Sequence, residues 1–126
     1  MGHEGYIYAS DISPNRVKAA KKDTNRHRKK NIEWSIKDAR KDCYKMADKI
    51  LIDAPCTGTG VIGRKPDIRW RRKQSDLKKF SDIQLSIINN CSKYLKKGGV
   101  LVYATCSMEP EENLKVIEQF LNLNSD

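Results

Sequence analysis

Histidine is scarce in this chain, with two in 126 residues, and no two of its four cysteines form a C-x-x-C pair. Cys43, Cys56, Cys91 and Cys106 are widely spread. That spacing disfavours a zinc site and a disulfide framework, and it fits thiols kept reduced, as in the cytoplasm. No metal is expected. The apolar runs are no longer than a strand, so the sequence shows neither a membrane span nor the pattern of a signal peptide. Lipidation signals, amphipathic membrane helices, internal repeats and low-complexity linkers are absent as well, and no membrane partner is expected. Acidic residues are in deficit, 16 against 25 Lys and Arg, which leaves a net charge of +9. Such an excess points to a polyanionic partner, nucleic acid before membrane. With 126 residues and 38% hydrophobic content, one domain with a single core is expected, as a monomer.

What is present centres on Ile50-Leu51-Ile52-Asp53-Ala54-Pro55-Cys56-Thr57-Gly58-Thr59-Gly60. The apolar run reads as a strand buried on both faces. Pro55 cannot donate a ladder hydrogen bond, so the strand ends by Ala54. Asp53 then sits at its carboxyl end and Cys56 on the glycine-rich loop beyond. Val100-Leu101-Val102-Tyr103-Ala104, followed by Thr105-Cys106-Ser107, repeats the form. Neighbouring parallel strands, about 4.8 Å apart, would bring both thiols to one edge. In an open α/β sheet that edge is where ligands bind.

The remaining elements follow in order. Tyr6 to Ser10 reads as a strand, with Asp11 after it. Ser13-Pro14 starts a helix expected to reach about Lys30, thin in apolar residues (Val17, Ala20) and rich in lysine and arginine. Ile32 to Ile36 alternates like a strand, Asp38 follows it, and Lys49 to Asp53 is the third strand. A loop to about Lys73 precedes a long helix from near Ser75 to Lys96, striped by Leu77, Phe80, Ile83, Ile87, Ile88, Cys91, Tyr94 and Leu95. Gly98-Gly99 is read as its stop, and Val100 to Ala104 as the fourth strand. Pro110 and an acidic first turn open a final helix from about Glu111 to Leu123. Alternating strands and helices mean a parallel sheet with crossover helices.

Gly58-Thr59-Gly60-Val61-Ile62-Gly63 matches G-x-G-x-x-G. That motif must open a helix to bind a dinucleotide, whereas Arg64-Lys65-Pro66-Asp67 follows here, so nicotinamide and flavin binding are rejected. Asp11, Asp38 and Asp53 each fall at or just past a strand end. Carboxylates there can accept hydrogen bonds from ribose hydroxyls, an adenine amino group or an ammonium. Any one alone is more simply the cap of a following turn, but three in succession favour a nucleoside ligand.

Asp53-Ala54-Pro55-Cys56-Thr57-Gly58-Thr59-Gly60 and Thr105-Cys106-Ser107 resemble the two signature motifs of the Sun/RsmB/NSUN RNA cytosine-5 methyltransferases. The resemblance continues through Gly60-Val61-Ile62, Pro66-Asp67-Ile68-Arg69-Trp70, Gln84 and Glu111-Glu112-Asn113, and covers essentially the whole chain. It implies an α/β, Rossmann-like class I methyltransferase sheet that uses S-adenosylmethionine on RNA, ribosomal RNA foremost. It further implies that Asp11 holds the cofactor ribose, Asp38 the adenine side, and Asp53 the region between methionine and substrate base. By the same resemblance Cys106 is the nucleophile and Cys56 assists product release. The family's glycine-rich cofactor loop follows a first strand that is missing here, and strands six and seven are missing too. Residues 1–126 are therefore expected to be an internal part of a catalytic domain, carrying strands 2 to 5. Without strand 1, either the sheet divides into two pairs or the flanking strands close up.

The chemistry gives a reason for two thiols. Carbon 5 of cytosine is a poor nucleophile until something adds to carbon 6, and a thiolate can do so. An acid near ring nitrogen 3, a role suited to Asp53, would stabilise the protonated adduct. After methyl transfer the carbon-5 proton must leave and the thiolate must be expelled, which a second thiol can assist. The ordinary alternative for a cysteine, a buried small hydrophobe, suits Cys91 and Cys43 better than a pair placed after strand ends. A Pro-Cys pair also resembles the nucleophile motif of DNA cytosine-5 methyltransferases, but the Thr-Cys-Ser after the fourth strand favours the RNA family. Arg64, Lys65, Arg69, Trp70, Arg71 and Arg72, with Lys73, form a basic segment around one indole. They are the candidate RNA contacts, phosphates for the cations and an unpaired base for Trp70, unless the segment is only a solvated loop with its indole folded back onto the sheet. Trp34 is expected in the core. A non-catalytic basic RNA-binding piece is the alternative from another class.

Overall fold

The structure, a computed structural model, describes residues 5–71 and 73–124; Arg72 lies outside the described residues. Two compact units divide the chain after Lys45. The first holds β1 (Ile7–Asp11), α1 (Pro14–Arg26) and β2 (Ile32–Ile36). The strands are parallel, with Ile7 opposite Ile32 and Asp11 opposite Ile36. Ser13 caps α1 by accepting the Arg16 N–H, and Pro14 fills the first turn where its missing donor costs nothing. The thin apolar face buries Val17. Trp34, expected in the core, is half-buried and its indole donates to Thr24 Oγ1 at 2.9 Å. The helix stops at Arg26, short of Lys30. Arg28 takes φ 53°, and its N–H donates to the Asn25 carbonyl at 3.0 Å while Lys29 N–H reaches Thr24 O at 3.1 Å. These two bonds form a Schellman closure, built on arginine where a glycine would have announced it.

In the second unit lie β3 (Ala47–Asp53), α2 (Ile68–Arg71), α3 (Gln74–Ser92), β4 (Leu95–Ala104) and α4 (Leu114–Leu123), with 3₁₀ turns at Thr59–Val61 and Pro110–Glu112. β3 and β4 are parallel neighbours, Ile50 opposite Leu101 and Asp53 opposite Ala104. The described strands thus form two separate two-stranded sheets, β1–β2 and β3–β4, the first of the two arrangements considered above. This is a mixed α/β structure with parallel strands. No helix among the described residues is long and apolar enough to cross a membrane.

Further boundaries differ from the sequence reading. α3 ends at Ser92 because Tyr94 turns back onto the Cys91 carbonyl at 3.1 Å and its own carbonyl accepts from Ala47 at 2.9 Å. Tyr94 and Leu95 therefore feed the sheet rather than the helix stripe. Gly98 and Gly99 lie inside β4, not at a helix stop. The register passes from Ala47–Leu95 to Lys49–Val100, Gly98 has φ 76°, and a Cβ on Gly99 would lie 2.8 Å from the Asp48 carbonyl oxygen. The loop before Lys73 contains the one-turn helix α2, and the final helix opens as a 3₁₀ turn before α4.

β3 was also expected to be buried on both faces. Ile52 is buried with Ala54, Ile87, Ile88, Cys91 and Val116, but Leu51 is 72% exposed and Val100 and Val102 are exposed beside it. Within this unit α3 packs against the strand pair and α4 packs against α3, so one face of the pair carries the core. The consequence is measurable by urea unfolding. Ile88→Ala should cost about 2–5 kcal/mol, against about 0.5 kcal/mol or less for Leu51→Ala.

Candidate active site

The parallel pairing of β3 and β4 delivers two loops to one carboxyl edge. Ala54 N–H still bonds the Ala104 carbonyl at 2.9 Å, and beyond it the chains diverge into the two cysteine loops. Cys56 and Cys106, 50 residues apart in sequence, meet with their sulfurs at 2.9 Å. Both are free thiols, Cys56 half-buried and Cys106 exposed. Burial and the bond to Cys106 push the Cys56 thiol up to about 11, against backbone hydrogen bonds from Cys106 and Gly58. At neutral pH Cys56 therefore keeps its proton, and either sulfur can donate the hydrogen bond between them.

Close backbone approach builds the site. Gly60 N–H donates to the Cys106 carbonyl at 3.0 Å, and a Cβ on Gly60 would meet that same oxygen at 2.8 Å. Gly58 lies in the left-handed region at φ 79°. Thr59 Oγ1 accepts from Met108 N–H at 2.9 Å and lies 3.2 Å from Ser107 Oγ.

Beneath the loops lies Glu112, fully buried like Gln84. One carboxylate oxygen accepts Thr57 N–H at 2.8 Å and Gln84 Nε2 at 3.1 Å, and the other accepts Thr57 Oγ1 at 2.5 Å. Gln84 Nε2 also donates to the Pro55 carbonyl at 2.8 Å. The next residue, Asn113, donates to the Ser107 carbonyl at 2.9 Å and accepts from Thr105 Oγ1 at 2.6 Å. Tyr103 donates its hydroxyl to the Glu112 carbonyl at 2.9 Å; burial, then the Glu112 charge, raises its pKa further, so it stays a donor. The sequence presents Glu112 as part of an acidic helix opening and, with Gln84 and Asn113, as part of the family resemblance, with no role assigned to any of the three.

The three acids divide. Asp53 ends β3 on the thiol edge, exposed, with no side-chain hydrogen bond or ion pair among the described residues. Asp11 ends β1 and Asp38 lies two residues past the end of its neighbour β2, and both are engaged. Asp11 accepts Ser13 N–H at 2.7 Å and the Arg16 guanidinium at 2.7 and 2.8 Å. Arg16 accordingly holds its carboxyl below the usual range. Asp38 accepts the Arg40 backbone N–H at 3.0 Å and its guanidinium through both oxygens, which holds it down to about 2. Asp11 keeps one free acceptor position, whereas Asp38 receives a ligand only in exchange for Arg40.

Arg64, Lys65, Arg69, Trp70 and Arg71 all face solvent. Trp70 is 83% exposed, so it does not fold back onto the sheet. The Arg69 guanidinium lies 5.9 Å from its ring centroid, and Arg71 pairs with Asp67 at 3.5 Å. Among the described residues no cluster of three His, Cys, Asp or Glu could hold a metal ion.

Comparison with known proteins gives the family. The sequence model of the family described as "16S rRNA methyltransferase RsmB/F" matches residues 1–126. Ribosomal RNA small subunit methyltransferase B of Photorhabdus laumondii subsp. laumondii is 40% identical over 129 residues, 98% of this chain and 29% of that protein. The protein of the same name from Proteus mirabilis is 42% identical over 129 residues, 98% of this chain and 30% of its own length. Among solved structures, NSun6 from Pyrococcus horikoshii with SFG superposes with a TM-score of 0.84 at 36% identity, covering 94% of this chain and 31% of that one. The chain thus spans about three-tenths of the length of these curated relatives.

Proposed function

The chain belongs to the RsmB/F family of 16S rRNA methyltransferases, and from that premise we propose that it carries the thiol chemistry of an S-adenosylmethionine-dependent RNA cytosine-5 methyltransferase. Residues 1–126 are read as part of a Rossmann-like catalytic domain, with ribosomal RNA as substrate. The observation that carries the reading is the pair of free thiols 2.9 Å apart on one strand edge, an arrangement suited to addition to a pyrimidine ring by one thiol and elimination assisted by the other.

Cys106, the exposed thiol of the pair, gives its proton to water and adds through sulfur to carbon 6 of the cytosine. The electron pair of the C5–C6 double bond then becomes available at carbon 5. Asp53, unpaired at the same edge, holds a proton at ring nitrogen 3 of the adduct. S-adenosylmethionine, when bound, supplies an electrophilic methyl group. SFG, an analogue of it, accompanies the NSun6 relative, and Asp11 and Asp38 would hold its ribose and adenine side. Once carbon 5 is methylated its proton passes to water, the C–H pair restores the double bond, and the Cys106 sulfur leaves with the pair of the C6–S bond. Cys56 assists by hydrogen-bonding the departing thiolate.

RNA carrying tritium at carbon 5 of cytidine tests this in the full polypeptide. Release of tritium that depends on S-adenosylmethionine is expected. Binding without release would leave a non-catalytic RNA-binding protein, and release from DNA in place of RNA would point to the DNA-type enzyme.

The RNA surface proposed is Arg64, Lys65, Arg69, Trp70 and Arg71, with Arg72. Affinity should fall with salt, log K against log[salt] losing about 0.7 in slope for each phosphate neutralised on a single strand. Replacing Arg64, Lys65, Arg69 and Arg71 together by alanine should flatten that slope by up to about 3. Trp70→Ala should weaken binding by about 1–3 kcal/mol without changing the slope. A slope untouched by the quadruple variant would move the surface elsewhere, to the basic face of α1.

A further inference from the structure

We propose that the adjacent residues Glu112 and Asn113 are positioning residues that together set the distance between the two thiols, one gripping each cysteine loop. The proposal rests on the reading of the thiols as the reacting pair, and it stands on the hydrogen bonds around them. Both neighbours of Cys56 are held from below. The Pro55 carbonyl is held by Gln84, and Thr57 is held through its N–H and its hydroxyl by Glu112, with Gln84 bound to Glu112 in turn. Both neighbours of Cys106 are held by Asn113, through the Thr105 hydroxyl and the Ser107 carbonyl. Neither residue touches a sulfur. Because they are consecutive on one 3₁₀ turn and its end, the two grips share a rigid base.

The chemistry of Glu112 argues for positioning over stability. Its carboxylate is fully buried and receives only neutral donors, with no ion pair among the described residues. A buried charge of this kind is costly, and an apolar side chain of similar size would often be neutral or stabilising. A carboxylate can do what an apolar or amide side chain cannot: accept on both oxygens at once and so orient the N–H and the O–H of the single residue Thr57. Gln84 shows the same cost. Its Nε2 serves Pro55 and Glu112, while its buried Oε1 finds no protein partner. The amide is committed to the two acceptors that fix the Cys56 loop.

Diamide cross-linking reads the distance without any methyl transfer. Diamide takes a hydrogen from each thiol, its N=N bond is reduced to the hydrazine, and an S–S bond joins Cys56 to Cys106, located by mass spectrometry of the linked peptide. In the full polypeptide, with folding checked by thermal melting, Glu112→Ala, Asn113→Ala and Thr57→Val should each slow this linkage by about tenfold or more, and lower kcat for tritium release by about 10²-fold with KM for RNA unchanged. Thr57→Ser, which keeps the hydroxyl, should restore both. If Glu112→Ala does not fold, Thr57→Val, which exchanges only a hydroxyl for a methyl, decides. Linkage at the native rate in folded variants would overturn the proposal. Slowed linkage in a protein that releases no tritium even as wild type would uphold the clamp and discard the methyltransferase reading instead.

Discussion

Cys106→Ala in the full polypeptide should abolish both methyl transfer and any covalent RNA adduct, while Cys56→Ala should let the adduct form and persist. The asymmetry follows from the geometry. Cys106 is exposed, whereas burial keeps the Cys56 thiol protonated at neutral pH. Cys106 is the sulfur that a substrate base can reach, and without it carbon 6 has no attacking group. Loss of a covalent nucleophile removes on the order of 10⁴-fold or more of the rate. Cys56 lies 2.9 Å away and enters when the C6–S bond breaks. Its loss leaves addition intact and slows elimination, so a protein–RNA band resistant to denaturation should accumulate. The pH dependence has a definite sign. Above a pH of about 11 Cys56 itself ionises, it no longer has a proton to offer the departing sulfur, and its assistance is lost. A persistent adduct in Cys106→Ala, in place of Cys56→Ala, would reverse the roles and favour the DNA-type assignment.

Gly60→Ala should also lower activity strongly, although residue 60 has no side chain to react. A Cβ there would lie 2.8 Å from the Cys106 carbonyl oxygen and 3.5 Å from Met108 Cγ. The hydrogen bond from Gly60 N–H to that carbonyl, 3.0 Å long, fixes the Cys106 loop against the Cys56 loop. The extra methyl must push Cys106 away. A displacement near 1 Å costs about 10²-fold in rate. kcat should fall by about that factor while RNA affinity is retained, since the basic segment around Trp70 is untouched. Gly63→Ala is the control: nothing lies within 4 Å of a Cβ at that position, and activity should be unchanged.

Such effects show where sequence patterns carry information. Both cysteine loops were legible because each follows an apolar run that can only be a strand, and because consecutive parallel strands place their carboxyl ends together. Proline and serine at the start of α1 were legible through their local chemistry. The ends of the helices were not. Arg28 adopts a left-handed conformation that arginine does not signal, and Tyr94 leaves α3 because Ala47 claims its carbonyl, a partner 47 positions earlier in the chain. Leu51 reads as core by its type, yet only the placement of α3 decides which face of β3 is covered. Glu112 was legible as part of the family resemblance, but its burial and its role were not. An acid near a helix start is ordinarily a dipole-compensating surface residue, and nothing local distinguishes one that is buried beneath two distant loops. The acids Asp11 and Asp38 were legible as strand-end carboxylates. Their engagement with Arg16 and Arg40 was not, although in both cases the partner stands only a few residues downstream.

The most direct test of the thiol assignment uses RNA in which fluorine replaces the carbon-5 hydrogen of the target cytidine. Addition and methyl transfer can proceed on this substrate, but no proton is available to leave, so the enzyme remains joined to the RNA. The full polypeptide is incubated with it and S-adenosylmethionine, denatured, digested and analysed by mass spectrometry. The expected product is a methylated, fluorinated nucleotide attached to the peptide containing Cys106. Attachment through Cys56, or methylation of ordinary RNA by a protein that never becomes attached to the fluorinated one, would contradict the account.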